Sequence, residues 1–426
     1  MKSGILKYAT MSTLLATLVL PVRLAAQSNY SVVELGELGG TAGGANSINN
    51  RGWVTGSDNL AGDATSVATL WLHGSAIPLG TLGNGPNSAV AWPVKNNNGV
   101  IVGISELPDA DPLGENFSCW PFVGTGTPTG RICQGFRWQN GTMTALPPFP
   151  GGYSSYATGV NNRGQVVGWA ENGVHDPTCD PAFQILQFRA AIWQPNGLMQ
   201  ELPPLPGDST SAATAINDYG QVVGISGDCG IAVGGVSAKH PVLWENGVPT
   251  DLGNIGGDAW NTPTAINNQG MIVGFANTAP GTARVYEAFI WTKAGGMKSL
   301  GKIPGDLRST ANGINEKGDK IVGVSRGGPY LFRAVLWQNT QLFDMNQLTV
   351  PGSPFLLSAG DIDQQGHIVG QAFHPDTLEA PAFMASPVPP GAAVSSAVRE
   401  TPMGSLPENV RRQIDRRLGF ASELIP

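Results

Sequence analysis

The sequence predicts an all-β fold, a seven-bladed β-propeller of four-stranded blades, on three observations. One phrase returns seven times: an apolar residue, Asn or Asp, two polar residues, Gly, a short apolar run, Gly. A second phrase, an apolar run into Trp, follows it, and a third, Leu-Gly-x-Leu or a variant, lies eight or nine residues beyond the Trp. The two ends of the array are complementary fragments of one unit. A repeat of about fifty residues with four short strands per unit is the signature of propeller blades.

The first phrase reads Ile48-Asn-Asn-Arg-Gly-Trp-Val-Thr-Gly56, then Asn96 to Gly103, Val160 to Gly168, Ile216 to Gly224, Ile266 to Gly274, Ile314 to Gly323 and Ile362 to Gly370. It supplies strands a and b, joined by an Asn- and Gly-rich turn whose Asn side chains bond their own backbone. Strand c is the run into Trp71, Trp138, Trp193, Trp244, Trp291 or Trp337. A bulky ring at a fixed blade position reads as packing between sheets. Strand d is placed at the Leu-Gly phrase, after pairs such as Asn140-Gly141 and Asn246-Gly247, which take positive φ cheaply.

The ends predict how the ring closes. Glu34-Leu-Gly-Glu-Leu-Gly-Gly40 is a d phrase that precedes any a, b or c, and Pro381-Ala-Phe-Met-Ala385 is a c phrase with no d after it. Pairing of the N-terminal strand with the last c strand completes the seventh blade. An open β-solenoid would leave both half-units unexplained.

The domain limits follow. Residues 1–26 read as a signal peptide: Lys2 and Lys7, an apolar stretch from Ala9 to Leu20, then Ala25-Ala26 for cleavage. Residues 27–387 are the propeller. Residues 388–404 are a Pro/Ala/Ser-rich linker. Residues 405–426 read as a short basic amphipathic helix, capped at Ser405, with Val410, Ile414 and Leu418 on one stripe among arginines. The helix is expected to dock on the propeller or to fray.

Composition excludes several classes. The chain has 426 residues, 58 Gly, 33 Pro and 13% charged residues, which leaves few segments able to sustain a helix. A net charge of −7 without a basic run in the body argues against nucleic acid. After residue 26 no apolar run reaches spanning length. The mature chain is therefore expected to be a secreted or periplasmic monomer with no transmembrane segment and no nucleic-acid partner.

Length variation predicts where function sits. The b-to-c interval is 15 residues from Gly56 to Trp71 but 35 from Gly103 to Trp138 and 25 from Gly168 to Trp193. In an antiparallel blade, a–b and c–d links share one face, and b–c and d–a links share the other. Binding residues tend to sit on variable loops held by a rigid frame. The b–c/d–a face of blades 2–4 is thus the expected functional face. All four cysteines, Cys119, Cys133, Cys179 and Cys229, fall in its inserts. Export permits disulfides, and the expected pairs are Cys119–Cys133 and Cys179–Cys229. No Cys-x-x-Cys spacing supports a zinc site, and no cofactor or metal is expected.

The binding candidates are Trp120 and Trp260, aromatics on loop links able to stack on a sugar ring, and His175, Asp176 and Asp228, which could form a polar pocket. No nucleophile elbow, phosphate loop, zinc-helix motif or calcium loop is present. The chain is therefore expected to be a non-catalytic module that recognises a glycan or a protein, with no catalytic residue. The alternative is a carbohydrate-active enzyme, a polysaccharide lyase or glycoside hydrolase, working through loop carboxylates and His175.

In its repeated phrases the chain resembles bacterial extracellular HAF-repeat proteins, named for an ideal c phrase His-Ala-Phe-Leu-Trp. His240-Pro-Val-Leu-Trp244 and Glu287-Ala-Phe-Ile-Trp291 are the nearest matches, and only His240 supplies the His. The resemblance implies export and a repeat fold. It implies no activity.

Overall fold

In the computed structural model the described residues are 29–389, except 116–117, 120–121, 123–128, 231–237, 281–284 and 329–330, together with 406, 407 and 410. The expected signal segment lies outside them, as does most of the C-terminal helix. The described residues form seven four-stranded antiparallel sheets, each built from strands adjacent in sequence except one. Blade 3 is typical: Ser155–Val160, Val166–His175, Leu186–Trp193 and Met199–Leu202 are its strands a to d.

The exception closes the ring. Blade 7 takes Phe355–Ile362, Ile368–Phe373 and Ala382–Val388 from the end of the array and Asn29–Glu34 from its start. The register runs from Asn29 opposite Val388 to Glu34 opposite Phe383. Tyr30 also bonds across to blade 6 through Leu348 (2.8 Å) and Val350 (3.0 Å). The expected closure is therefore present, with one shift: strand d ends before the Leu-Gly phrase. In blade 1, for example, it is Ser75–Pro78, and Leu79-Gly80 begins the corner into the next blade.

The recurrent residues have separate mechanical jobs. Strand a carries an irregularity one turn before its Asn; in blade 3 the pairing jumps from Ala157 to Gly159. This bulge swings a carbonyl against strand b. A Cβ at Gly168 would lie 1.8 Å from the Tyr156 oxygen, and one at Gly56 would lie 1.9 Å from the Gly44 oxygen. The Gly that ends each first phrase is thus demanded by close backbone approach. The bulged residue itself reaches the next blade: Thr158 Oγ1 donates to Ala213 O (3.0 Å) and Asn46 Nδ2 to Val90 O (2.7 Å).

The c-strand Trp residues join blades as well as filling the space between them. Trp71 Nε1 donates to Gly36 O, Trp193 to Pro147 O, Trp244 to Pro203 O and Trp337 to Leu300 O, at 2.7–3.0 Å. Each acceptor lies just after strand d of the preceding blade. One side chain therefore buries a large apolar surface and satisfies its only donor. The core is a series of such inter-blade clusters. From the tail, Leu406 and Val410 are buried against Ala42, Phe332, Phe355 and Phe373 on the b–c/d–a side of blades 6, 7 and 1.

Cys119 bonds Cys133, and Cys179 bonds Cys229, the two expected pairings. The second bond ties the blade 3 insert to the blade 4 insert. Among the described residues no helix is long and apolar enough to cross a membrane.

Candidate functional site

A polar depression, the mouth of the ring, lies on the a–b face, lined by turn residues of all seven blades. The b–c/d–a face was expected to carry the site, because it carries the long inserts. The a–b turns are short, but they converge on the axis from all seven blades.

Two rings of side chains build the mouth. In the first, each turn Asn uses both ends of its amide. Asn161 Oδ1 accepts from Arg163 N (3.1 Å) and Gln165 N (3.0 Å), which closes its own turn. Its Nδ2 donates to Asn217 O of the next blade (3.0 Å). Asn49, Asn96, Asn217 and Asn267 repeat the crossing to Asn96, Asn161, Asn267 and Asn315 at 2.7–3.2 Å. Asp could close the turn but has no N–H to cross with. Blade 7 carries Asp363 here, and its carboxylate instead accepts from His367 N (2.8 Å) and meets His367 Nδ1 at 2.7 Å.

The second ring is formed by the next residue in each turn: Asn50, Asn97, Asn162, Asp218, Asn268, Glu316 and Gln364. The backbone N–H of one member donates to the side-chain oxygen of the next. The steps 50→97, 97→162, 162→218, 218→268, 268→316 and 364→50 measure 2.7–3.1 Å. Asp218 Oδ2 also receives the amides of Asn162 (2.9 Å) and Asn268 (3.1 Å). The next residue in this turn, Tyr219, is 73% exposed.

Beneath the rings lies a pair that breaks the repeat twice. The residue before the first Asn is Ile or Val in six blades and Lys95 in blade 2. The residue before that is uncharged in six blades and Asp361 in blade 7. Lys95 reaches across the axis. Its Nζ contacts Asp361 Oδ1 (3.0 Å), Ile314 O (2.6 Å) and Ile362 O (3.2 Å). All three ammonium protons are thereby engaged. Asp361 also accepts from Ile48 N (3.1 Å) and Ile362 N (2.8 Å). Burial pushes its carboxyl above the ordinary value, and Lys95 opposes that rise. Pro93 in blade 2 lacks an N–H, and the regular strand a there is only Ser88–Ala89. The strut links blade 2 to blades 6 and 7 beneath the two rings.

The opposite face is differently built. Trp260 lies on a d–a link as expected, but it is 0% exposed and packs edge-on against Phe275 (5.2 Å) and Tyr286 (5.3 Å). It offers no face to a ligand, because the link folds inward over an aromatic cluster that includes Trp92, Trp169 and Phe188. Asp176 is 2% exposed and accepts from Thr178 N (2.9 Å), Thr178 Oγ1 (2.7 Å) and Thr210 Oγ1 (3.2 Å). Burial raises its proton affinity, but these bonds outweigh it and hold the carboxyl below the usual range. It anchors a loop beside the Cys179–Cys229 bond. His175 is exposed at the end of strand b, and Asp228 pairs with Lys239. Trp120 lies outside the described residues. Of the four described candidates, Trp260 and Asp176 are buried and His175 is exposed, and Asp176 and Asp228 lie beside the Cys179–Cys229 bond.

Two carboxylates with raised proton affinity are corner anchors. Glu171, buried, is pushed up to about 8; its Oε2 accepts from Tyr153 N (3.0 Å) and Ser154 N (2.8 Å). Asp58, pushed by burial to about 7, accepts from Leu38 N (2.6 Å).

No protein-family model matches the sequence, and no curated protein does. Among solved structures, streptogramin B lyase is 12% identical, with 84% of this chain and 98% of that one covered at a TM-score of 0.46. Puromycin hydrolase is 12% identical, covering 84% and 53% at 0.42. The β-propeller domain of the Trilobed protease from Pyrococcus furiosus is 9% identical, covering 88% and 99% at 0.41. Likenesses this distant transfer no substrate and no activity.

Proposed function

We propose that this chain is an exported, non-catalytic binding propeller of the HAF-repeat kind, and that its ligand is the terminal unit of a glycan, taken end-on at the a–b mouth. The observation that carries the reading is the second ring, in which amide and carboxylate side chains from seven blades converge above the Lys95–Asp361 pair. Amides offer a donor and an acceptor from one group, which suits a hydroxyl-rich ligand. The Lys95 ammonium is fully engaged and recruits no anion. Tyr219 supplies the exposed ring on which a sugar face can stack. Asp361, the raised acid beneath this mouth, is held by Lys95 and by two main-chain N–H groups, which suits a structural role better than acid–base catalysis.

The test is a glycan array followed by calorimetry on the full chain. Tyr219→Ala and Asp218→Asn are each expected to weaken binding by about tenfold, the size of one stacking contact or one charged hydrogen bond. Wild-type affinity in both variants, with binding lost in His175→Ala, would transfer the site to the other face. Release of cleavage or elimination products from the same samples would favour an enzyme instead.

A further inference from the structure

On the face opposite the mouth, the corner anchor Glu171 gathers with three further polar residues. Asp111 and Glu115 come from the insert after strand b of blade 2. Glu171 ends the regular part of strand b in blade 3, and Gln184 precedes strand c. They are 7%, 4%, 1% and 1% exposed. Gln184 Nε2 faces three oxygens at once: Glu115 Oε1 (3.1 Å), Glu171 Oε1 (3.2 Å) and Leu186 O (2.8 Å). An amide has two protons for these three acceptors.

Three further oxygens in the same cluster, Asp111 Oδ2, Glu115 Oε2 and Gln184 Oε1, are buried with no donor. Buried acceptors without donors are rare in folded proteins and are met by a bound ion or an ordered water. Two carboxylates shielded from water, with a neutral amide between them, are also unbalanced in charge. Burial, and less so Asp111, opposes ionisation of Glu115, while the main-chain N–H groups of Leu186 and Ile185 and, less so, His175 favour it. The donor set holds carboxylate, amide and main-chain oxygens, which is the chemistry of a hard divalent cation; its irregular geometry suits calcium better than octahedral magnesium.

We propose that Glu115, Glu171, Gln184 and the Leu186 carbonyl form a calcium site that clamps the blade 2 insert to the blade 3 insert. Half a turn of the Gln184 amide brings Oε1 to the crowded position of Nε2 and turns a competing donor into a ligand, and an amide's orientation is an assignment rather than an observation. Main-chain bonds hold the site in place: Glu115 Oε1 accepts from Ile185 N (2.6 Å), and Glu171 is fixed by Tyr153 and Ser154. This inference is independent of the axial mouth.

Equilibrium dialysis of the chelator-treated full chain against calcium decides it. One calcium per chain is expected, with a Kd of about 0.1–1 mM as in extracellular modules, and weaker binding of magnesium. Terbium luminescence, competed away by calcium, reports the same site in the wild-type chain. Glu115→Gln and Glu171→Gln are each expected to weaken binding by at least about tenfold, whereas Asp251→Asn, an exposed acid paired with His240, leaves it unchanged. No calcium bound at about 10 mM, well above that range, would overturn the proposal and leave the pair sharing a proton. Unchanged binding in both Gln variants would overturn it equally.

Discussion

The two faces of the ring solve one problem, joining each blade to the next, with different chemistries. On the a–b face the joint is one amide repeated around the axis. Asn49, Asn96, Asn161, Asn217 and Asn267 each close a turn with Oδ1 and cross to the next blade with Nδ2. On the b–c/d–a side Ser88, Ser155, Ser211 and Ser309, at the start of strand a, each accept from strand c of the preceding blade and donate to a carbonyl at or just past the end of its strand d. The further joints there are individual. Blades 3 and 4 share a disulfide, blades 2 and 3 share the Glu115–Gln184–Glu171 cluster, and blades 6, 7 and 1 are covered by Leu406 and Val410. A strict repeat can thus generate a symmetric polar mouth from a turn motif alone. Individual chemistry needs the inserts, where the repeat is relaxed.

The comparison can be broken first at the irregular face. Replacing Cys179 and Cys229 together by Ala releases a 50-residue loop and is expected to lower stability by about 4 kcal/mol in the chain-entropy model. Urea denaturation measures it, and a loss confined to local opening of blades 3 and 4 would show as early protease sensitivity of the inserts.

The second test concerns the axis. Lys95→Met leaves Asp361 buried without its partner and is expected to cost about 3 kcal/mol. The double change Lys95→Ile with Asp361→Ala restores residue types found at these positions in other blades and is expected to recover most of that loss. A double-mutant cycle with no coupling would show that the strut carries no energy.

A third outcome is pH dependence. The Glu171 carboxyl is raised by burial to about 8, from 4.5. The folded chain therefore holds a proton that the unfolded chain releases between these values. In the calcium-free chain, this group's contribution to stability is expected to be full at and below pH 4.5 and to be lost as pH rises from 4.5 to about 8. Glu171→Gln should flatten that slope in melts recorded across the range. The smallest effect sits in the symmetric ring: Asn161→Asp keeps the turn and loses the crossing bond, at about 1–2 kcal/mol by chemical denaturation.

Much of this architecture was legible in the repeat. Strands a, b and c, the seventh blade and both disulfide pairings follow from phrase order and cysteine placement. Strand d was placed a few residues late, because Leu-Gly looks like strand and is the corner after it. The turn Asn residues were read as turn formers, which is half of their work; the crossing bond joins residues about fifty apart and has no local signal. Trp260 misled because a loop position was equated with exposure, whereas its link folds inward over aromatic neighbours. Lys95 and Asp361 did leave a trace, as the two departures from an otherwise apolar or small pair of positions, but nothing local says that they meet.

Taken alone, the order of phrases determined a circle of blades, since periodicity, turn chemistry and complementary ends are properties of neighbours along the chain. Tertiary structure decided which face is concave and polar, which acids are buried and which departures from the repeat become partners. Those outcomes depend on distances across the axis and between adjacent blades, and closure brings together residues such as Lys95 and Asp361 that are far apart in sequence.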